Sequence, residues 1–443
     1  MSFFSPLLTN LSARLNLDDE IMSKLAGKGM TALVIKVSTA GLSYLMFMLL
    51  ARWMSAAEYG YFATAFSLGS FLAVIAGMGQ HNMVLRYLPQ YEGQNKPALA
   101  HGMLLDSRKQ ILKGTLAVAS LGLLVTYMLG YFDILERVSH FYWGAIFAIP
   151  MAWAEYQSHV LRACGSVVRA LAPRDIVWRI ILPLSCFIWI STSGTLNAEI
   201  TMMLAAATLG FLTLGQLSFN KKLVHKPVQE ATPAYDLKDW RGTRIGMWGS
   251  AVVGAASPQL STVIVGIILS PEEAGMFFVA LRTASLLSLP LIAINIVGAP
   301  LISNYFHSGQ MDQLKSLLLH IIGVCIACGL LGYCFFIIAG EWLLSMFGEK
   351  YTEGYGILLT IAFGQLINVA CGPSGVLMLM SNRERVFIKF QLIAEISGLL
   401  LMMIIIPIYG VFAASLIFAL ILIFWNIMTF KYIYSNIFTH NNH

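Results

Sequence analysis

Charge is what this chain has least of. Only 11% of its 443 residues are Asp, Glu, Lys or Arg, against about a quarter in soluble globular domains, and this excludes an ordinary water-soluble fold. Cysteine is sparse too. Cys325 and Cys328 have metal-like spacing, but they lie within an apolar run with no further Cys or His ligands nearby. They read as small packing residues, so no metal site and no structural disulfide is expected. There is no G-x-x-x-x-G-K-[ST] phosphate loop and no H-E-x-x-H. The longest segments between apolar runs on one side, 132–140 and 339–356, are too short to build a catalytic domain. ATP hydrolysis within the chain is therefore not expected, no cofactor is expected, and any driving force has to be an ion gradient, the membrane potential or substrate flux.

What the chain has in abundance is apolar length. It is 58% hydrophobic, with a mean hydropathy of +0.73. Runs long enough to cross a hydrocarbon core of about 30 Å fall near 31–53, 59–80, 110–131, 141–162, 177–194 and 199–217. A second set lies near 245–268, 274–301, 316–338, 357–380, 387–407 and 410–430. The expected fold is an all-α polytopic membrane protein with about twelve transmembrane helices. The expected parts are a cytoplasmic amphipathic segment at 1–27, a six-helix lobe at 28–219, a linker at 220–244, a second lobe at 245–432 and a tail at 433–443. Residues 1–27 read as a surface helix through Leu11, Leu15, Ile21, Met22 and Leu25 rather than as a signal peptide.

Loop charges set the orientation. With the N-terminus inside, one set of loops holds Arg86, Lys96, Arg108, Lys109, Arg162, Arg169, Arg174, Lys221, Lys222, Lys226, Lys238, Arg241, Arg244, Lys315, Arg383 and Arg385. The opposite set holds Arg52, Arg137 and Lys350. Cytoplasmic loops accumulate Lys and Arg, so both termini are expected inside. The net charge of +6 is then a product of topology and no sign of nucleic-acid binding.

A short repeat links the halves. Met54–Ala65 reads MSAAEYGYFATA and Leu269–Ala280 reads LSPEEAGMFFVA, sharing Ser55/Ser270, Glu58/Glu273, Gly60/Gly275, Phe62/Phe277 and Ala65/Ala280. Each copy sits between the first and second spans of its half. Both halves run in the same direction, so the repeat predicts two parallel six-helix lobes related by an axis along the membrane normal, the usual plan of a transporter with its path between them.

Ionisable residues within spans are costly, roughly 2.5–3.5 kcal/mol each at a helix centre, and mark candidate sites. Lys36 lies two turns into the first helix and either lines a cavity or snorkels to the cytoplasmic face. Arg282 lies two turns into the eighth and is harder to excuse. Neither has an opposite charge one turn away on its own helix. Glu155, His159 and Arg162 form a stripe on the fourth helix, either an internal ladder or, through Glu155 and His159, part of proton movement. Asp175 and Arg179 are spaced to pair with each other. Gln391 and Glu395 share a face of the eleventh helix, Glu395 being the deepest acid of the second half. Pro258, beside Ser257 and Gln259, and the Gly372-Pro373-Ser374-Gly375 cluster are hinge candidates or static kinks.

Several loose motifs resemble those of the polysaccharide-transporter branch of the multidrug/oligosaccharidyl-lipid/polysaccharide flippase superfamily, the Wzx-type flippases. They are Gly27-Lys28-Gly29, Ala51-Arg52-Trp53 with Glu58-Tyr59-Gly60-x-Phe62, Arg86-Tyr87-Leu88-Pro89-x-Tyr91 and Leu161-Arg162-Ala163-x-Gly165. In the second half they are Ala274-Gly275-x-Phe277-x-x-Ala280-x-Arg282 and Pro300-x-Ile302-x-x-Tyr305. The resemblance implies two lobes around a central cavity that opens alternately to each side. It also implies an inner-membrane flippase for a polyprenyl-diphosphate-linked oligosaccharide, an O-antigen, capsule or exopolysaccharide precursor. Lys36 and Arg282 are the residues placed to receive its anionic group, since a diphosphate in a low-dielectric cavity needs fixed positive charge. Expected partners are the lipid-linked glycan, membrane lipids and other glycan-assembly proteins. Two alternatives stand beside this: a drug/cation antiporter of the same superfamily, and an integral-membrane glycan polymerase or ligase.

Overall fold

The computed structural model describes residues 19–438 apart from Glu136, His225 and Asn382. Of the proposed N-terminal amphipathic segment, residues 1–18 lie outside the described residues. The rest belongs to a helix that runs unbroken from Asp19 to Trp53 as the first span. Residues 439–443 of the tail also lie outside. Among the described residues every regular element is a helix.

Among the described residues ten helices are long and apolar enough to cross a membrane, and two details bring the count to twelve. The segment Glu384–Ile437 is 54 residues long, about 80 Å as a single helix at 1.5 Å per residue, far more than one crossing needs. It breaks at Gly410, which follows Pro407 and sits at φ 69°, ψ −164°. A Cβ on Gly398 would lie 2.2 Å from Ile421 Cγ1, so the two arms fold back on each other as the eleventh and twelfth spans. The fourth span, Ser139–Ala163, carries several polar residues and is wrapped by protein. Its Gln157, Ser158 and His159 are buried, and it packs against the second span Ala56–Ala76, the third Pro97–Tyr131 and the sixth Ala198–Leu223. A helix shielded from lipid can carry polar side chains that a lipid-facing one cannot.

The repeat has a structural explanation. Ser55 and Ser270 are N-caps of the second and eighth spans, their hydroxyls accepting from the backbone N–H of Glu58 and Glu273. Ser270 and Glu273 form a reciprocal capping box. Glu58 instead turns outward to Arg137, and its Oε2 also accepts from the N–H of Ala198 at the start of the sixth span, 2.8 Å away. The two copies meet at the end of the bundle that carries both repeats. Gly60 lies against the Pro271 carbonyl, and Gly275 lies against the backbone of Gly60. Tyr59, Phe62, Phe277, Phe278 and Tyr351 pack around them, fully or almost fully buried. Arg52 donates to the carbonyls of Met346 and Ser345 at 2.5 and 3.4 Å, which adds a tie between the halves at the same end.

At that end a second device locks the first half alone. Arg137, between the third and fourth spans, donates to Glu58 at 2.6 Å and to Glu199 at 2.7 Å, and its guanidinium lies 4.5 Å from the centre of the Tyr61 ring. Ser139 also donates to Glu199. The hydrogen bond to Glu58, more than any other contact, raises the pKa of the guanidinium further above its usual range. Arg137→Gln leaves two partly buried carboxylates facing each other without a cation. It should lower stability by about 2 kcal/mol, read as a drop in unfolding temperature in detergent; an unchanged temperature would mean that the clamp adds nothing.

The stretch 220–244 is no free tether. The sixth span runs to Leu223, a short helix covers Lys226–Glu230, and the seventh span already starts at Leu237, capped by Asp236. Val224, Val228 and Trp240 are buried in a cluster with Met83, Tyr87 and Tyr91 of the Gln80–Gly93 helix that prolongs the second span. Trp240 Nε1 donates to Tyr91 Oη at 2.8 Å, Tyr87 Oη to Asp239 at 2.6 Å, and Arg244 to Asp106 at 3.2 Å. The seventh span therefore begins on the first half, while Ser257 further along it bonds Glu395 of the second half.

Candidate functional site

The first helix presents Lys36, Ser43 and Phe47 at spacings of seven and four, which places them on one face. Each meets a cation or an acid from another helix. Lys36 Nζ lies 3.2 Å from Asp175 Oδ2. Ser43 Oγ accepts from Arg179 Nε at 2.5 Å. Phe47 underlies the Arg282 guanidinium, 5.6 Å from the ring centre. Eleven residues of helix cover about 16 Å, so three cations from three helices are strung along the membrane normal.

The lower part of this line is built by the fifth span, Val167–Ser193. A π-helical turn at Pro173–Val177 interrupts it, and such wide turns re-aim side chains within a helix. Here it sets Asp175, 2% exposed, among three cations: Lys36, Arg174 Nε at 3.0 Å and Arg179 Nη1 at 3.6 Å. Arg174 also pairs with Glu155 of the fourth span, whose other oxygen lies 3.6 Å from His159 Nδ1. The His159 ring faces His81, 5.1 Å between centres.

The upper part is Arg282. Its guanidinium is ringed by Phe278 at 4.6 Å, Phe47 at 5.6 Å and Phe66 at 6.0 Å. Its Nε is buried with no hydrogen-bond partner, as is the hydroxyl of Tyr59, which lies within reach of its charge. No carboxylate among the described residues pairs with Arg282. Ser67, its counterpart in the repeat, is buried with an unpartnered hydroxyl. Buried polar groups in folded proteins are nearly always satisfied, so this concentration of unmet donors and charge sets Arg282 apart from the rest of the core. Counted over the whole line, the carboxylates among the described residues that pair with Lys36, Arg174 and Arg179 are Asp175 and Glu155, and none pairs with Arg282.

The structure thus gives both sequence-derived cations partners from outside their own helices. Lys36 has an acid from the fifth span, and Arg282 has only aromatic faces. Asp175 and Arg179 do pair, but Asp175 is shared with Lys36 and Arg174. Glu155 bonds Arg174 rather than Arg162. Glu395 lies apart in the second half, 7% exposed, accepting from Ser257 Oγ at 2.5 Å. Gly372, at φ 59°, and Pro373 separate the helices Tyr355–Ala370 and Ser374–Met380, a real break in the tenth span. Pro258 sits inside a continuous helix, Leu237–Ile268. Arg174, Arg179 and the phenyl rings around Arg282 were not singled out as site residues from sequence. The signal available was Arg174-Asp175-x-x-x-Arg179, two cations to one acid, which one pair cannot balance.

No protein-family model matches the chain. Among curated proteins it is similar to the succinoglycan biosynthesis transport protein ExoT of Rhizobium meliloti. The two are 23% identical over 354 residues, 76% of this chain and 65%, less than two thirds, of that protein's length. Among solved structures it resembles an inward-facing multidrug resistance MATE family transporter of the MOP superfamily. That likeness has a TM-score of 0.65 at 13% identity, covering 91% of this chain and 99% of the other. It also resembles the lipid II flippase MurJ in an inward closed conformation, with a TM-score of 0.61 at 13% identity, covering 92% and 87%. These are transporters and flippases, not enzymes. The chain shares the twelve-helix, two-lobed membrane fold of these transporters.

Proposed function

We propose that the chain is an inner-membrane flippase that carries a polyprenyl-diphosphate-linked oligosaccharide from the cytoplasmic to the outer leaflet by alternating access. The observation that carries this reading is the line Lys36, Arg174, Arg179 and Arg282 facing two carboxylates. Positive charge is in excess there, which suits the negative charges of a diphosphate diester. A drug cation would be repelled from such a line, which disfavours the antiporter alternative. The similarity to a succinoglycan transport protein supports a glycan as cargo, an exopolysaccharide, capsule or O-antigen precursor, handled together with glycan-assembly proteins.

Sidedness follows from the loop charges, with the repeats at the outer end and both termini cytoplasmic. On that assignment the outer end is sealed, by Gly60 against Pro271. Lys36 then lies nearest the cytoplasm and Arg282 furthest along the path. Gly372 and Pro373, and less directly Pro258, supply the bending that closure of the other end requires. Glu155 with His159, and the isolated Glu395, are the groups through which an ion gradient would act.

The test is flipping of a lipid-linked oligosaccharide in vesicles containing the purified protein, with and without an imposed pH gradient. The expected result is transfer that protein-free vesicles lack and that undecaprenol, which has no diphosphate, does not compete. Transfer of organic cations in its place would support the antiporter. Flipping indifferent to the pH gradient would remove Glu155, His159 and Glu395 from proton coupling.

A further inference from the structure

Asp175 is the group that flippase activity alone leaves without a role. A buried carboxylate beside the substrate's cations weakens their pull on an anion, yet the fifth span is distorted into a π-helical turn that puts it there. Its three partners are not equivalent. Arg174 is its sequence neighbour and is anchored on its other side by Glu155. Lys36 comes from the first helix and is 40% exposed, and Arg179 is held to the first helix through Ser43. Asp175 therefore ties the fifth helix to the first through Lys36, beside the separate tie that Arg179 of the fifth helix makes to Ser43.

We propose, resting on the flippase reading, that Asp175 is an exchangeable internal anion. It neutralises Lys36 and Arg179 while the site is empty and yields them to the substrate's diphosphate, which breaks the Lys36–Asp175 link between the first helix and the fifth. An empty site with several lone cations at this depth would be strongly disfavoured, so a resident counter-ion is needed. A dianion attracts the same cations about twice as strongly as a carboxylate at equal distance, so it displaces one. Asp175 keeps Arg174 throughout, and no buried carboxylate is left bare. When the diphosphate departs on the outer side, Asp175 retakes Lys36 and Arg179, opposes rebinding and restores the tie. Asp175 is a positioning residue: it never touches the substrate and acts through the cations.

The experiment measures binding of undecaprenyl diphosphate to the full chain in nanodiscs, with undecaprenol as reference. Asp175→Asn should bind the diphosphate roughly tenfold tighter while flipping more slowly. Asp175→Glu should return both to wild-type behaviour, and Lys36→Ala should weaken binding. A merely structural role for Asp175 would weaken binding in the Asn variant. Equal or weaker binding by Asp175→Asn, with Lys36→Ala still impaired, overturns the exchange and leaves the flippase reading standing. If the wild type does not prefer the diphosphate to undecaprenol, the flippase reading fails and the exchange with it. Should the Asn variant not insert, spin labels at Val34 and Ile180, both exposed, test the chain with Asp175 intact. Their separation should lengthen when undecaprenyl diphosphate binds, and an unchanged separation overturns the proposal.

Discussion

Gly60→Leu should all but abolish transport while leaving the protein folded and inserted. A Cβ at position 60 would lie 1.6 Å from the Pro271 carbonyl oxygen and 2.3 Å from its carbon, where no atom fits. The obstacle is backbone, so no rotamer change relieves it, and the two halves have to part at the end where the repeats meet. The effect is asymmetric across the repeat. A Cβ on Gly275 would meet its nearest neighbours at 3.4 Å, so Gly275→Ala should transport nearly as the wild type does. Ala274, fully buried at the seal, supplies the reporter. As cysteine it should resist a membrane-impermeant maleimide from the outer side, and become reactive when Gly60→Leu is added. Normal transport by Gly60→Leu, with Ala274→Cys still protected, would show that this contact is not the outer gate.

Arg282→Met should cut flipping by about a hundredfold, the loss of a desolvated charge-assisted contact worth about 2–5 kcal/mol. The same change should raise stability. Arg282 has no carboxylate partner among the described residues and a buried Nε with nothing to bond, so removing it deletes a cost of the empty state. The gain should be about 1 kcal/mol or more, seen as a higher unfolding temperature in detergent. Arg282→Lys keeps the charge, and an ammonium also sits well on the Phe47, Phe66 and Phe278 faces. It cannot hold two phosphate oxygens in one plane, so its flipping should fall between the two. A variant that lost both stability and transport would make Arg282 a structural residue. One that kept full transport would remove it from the substrate path.

How much of this was legible in the chain differs from part to part. The spans were, because about twenty apolar residues in a row have few places to go other than a bilayer. The pairing of halves was legible in Ser55/Ser270 and Glu58/Glu273; Ser55, Ser270 and Glu273 cap the second and eighth spans, a local role that spacing carries, whereas Glu58 is taken up by the distant Arg137. Lys36 and Arg282 stood out because a charge in an apolar run is costly wherever it ends up. Their surroundings were not legible. The acid beside Lys36 lies 139 positions further along the chain, and the Arg282 cage draws Phe47 and Phe66 from the other half of the molecule. The break at Gly372 was visible in its Gly-Pro pair, whereas the π-helical turn at Pro173–Val177 was not, since a proline can kink, cap or widen a helix.

The sequence by itself determined the solvent, the number of crossings and the positions where charge has to be accommodated, because each depends on local apolarity and on the cost of burying charge. The tertiary structure alone decided which charges are neutralised and which are left over. Packing of the first, fifth and eighth helices gave Lys36 the Asp175 carboxylate and gave Arg282 only aromatic faces, and electrostatic pairing acts across a few ångströms whatever the distance along the chain. That unequal pairing, which no single helix encodes, is what the proposed anion path rests on.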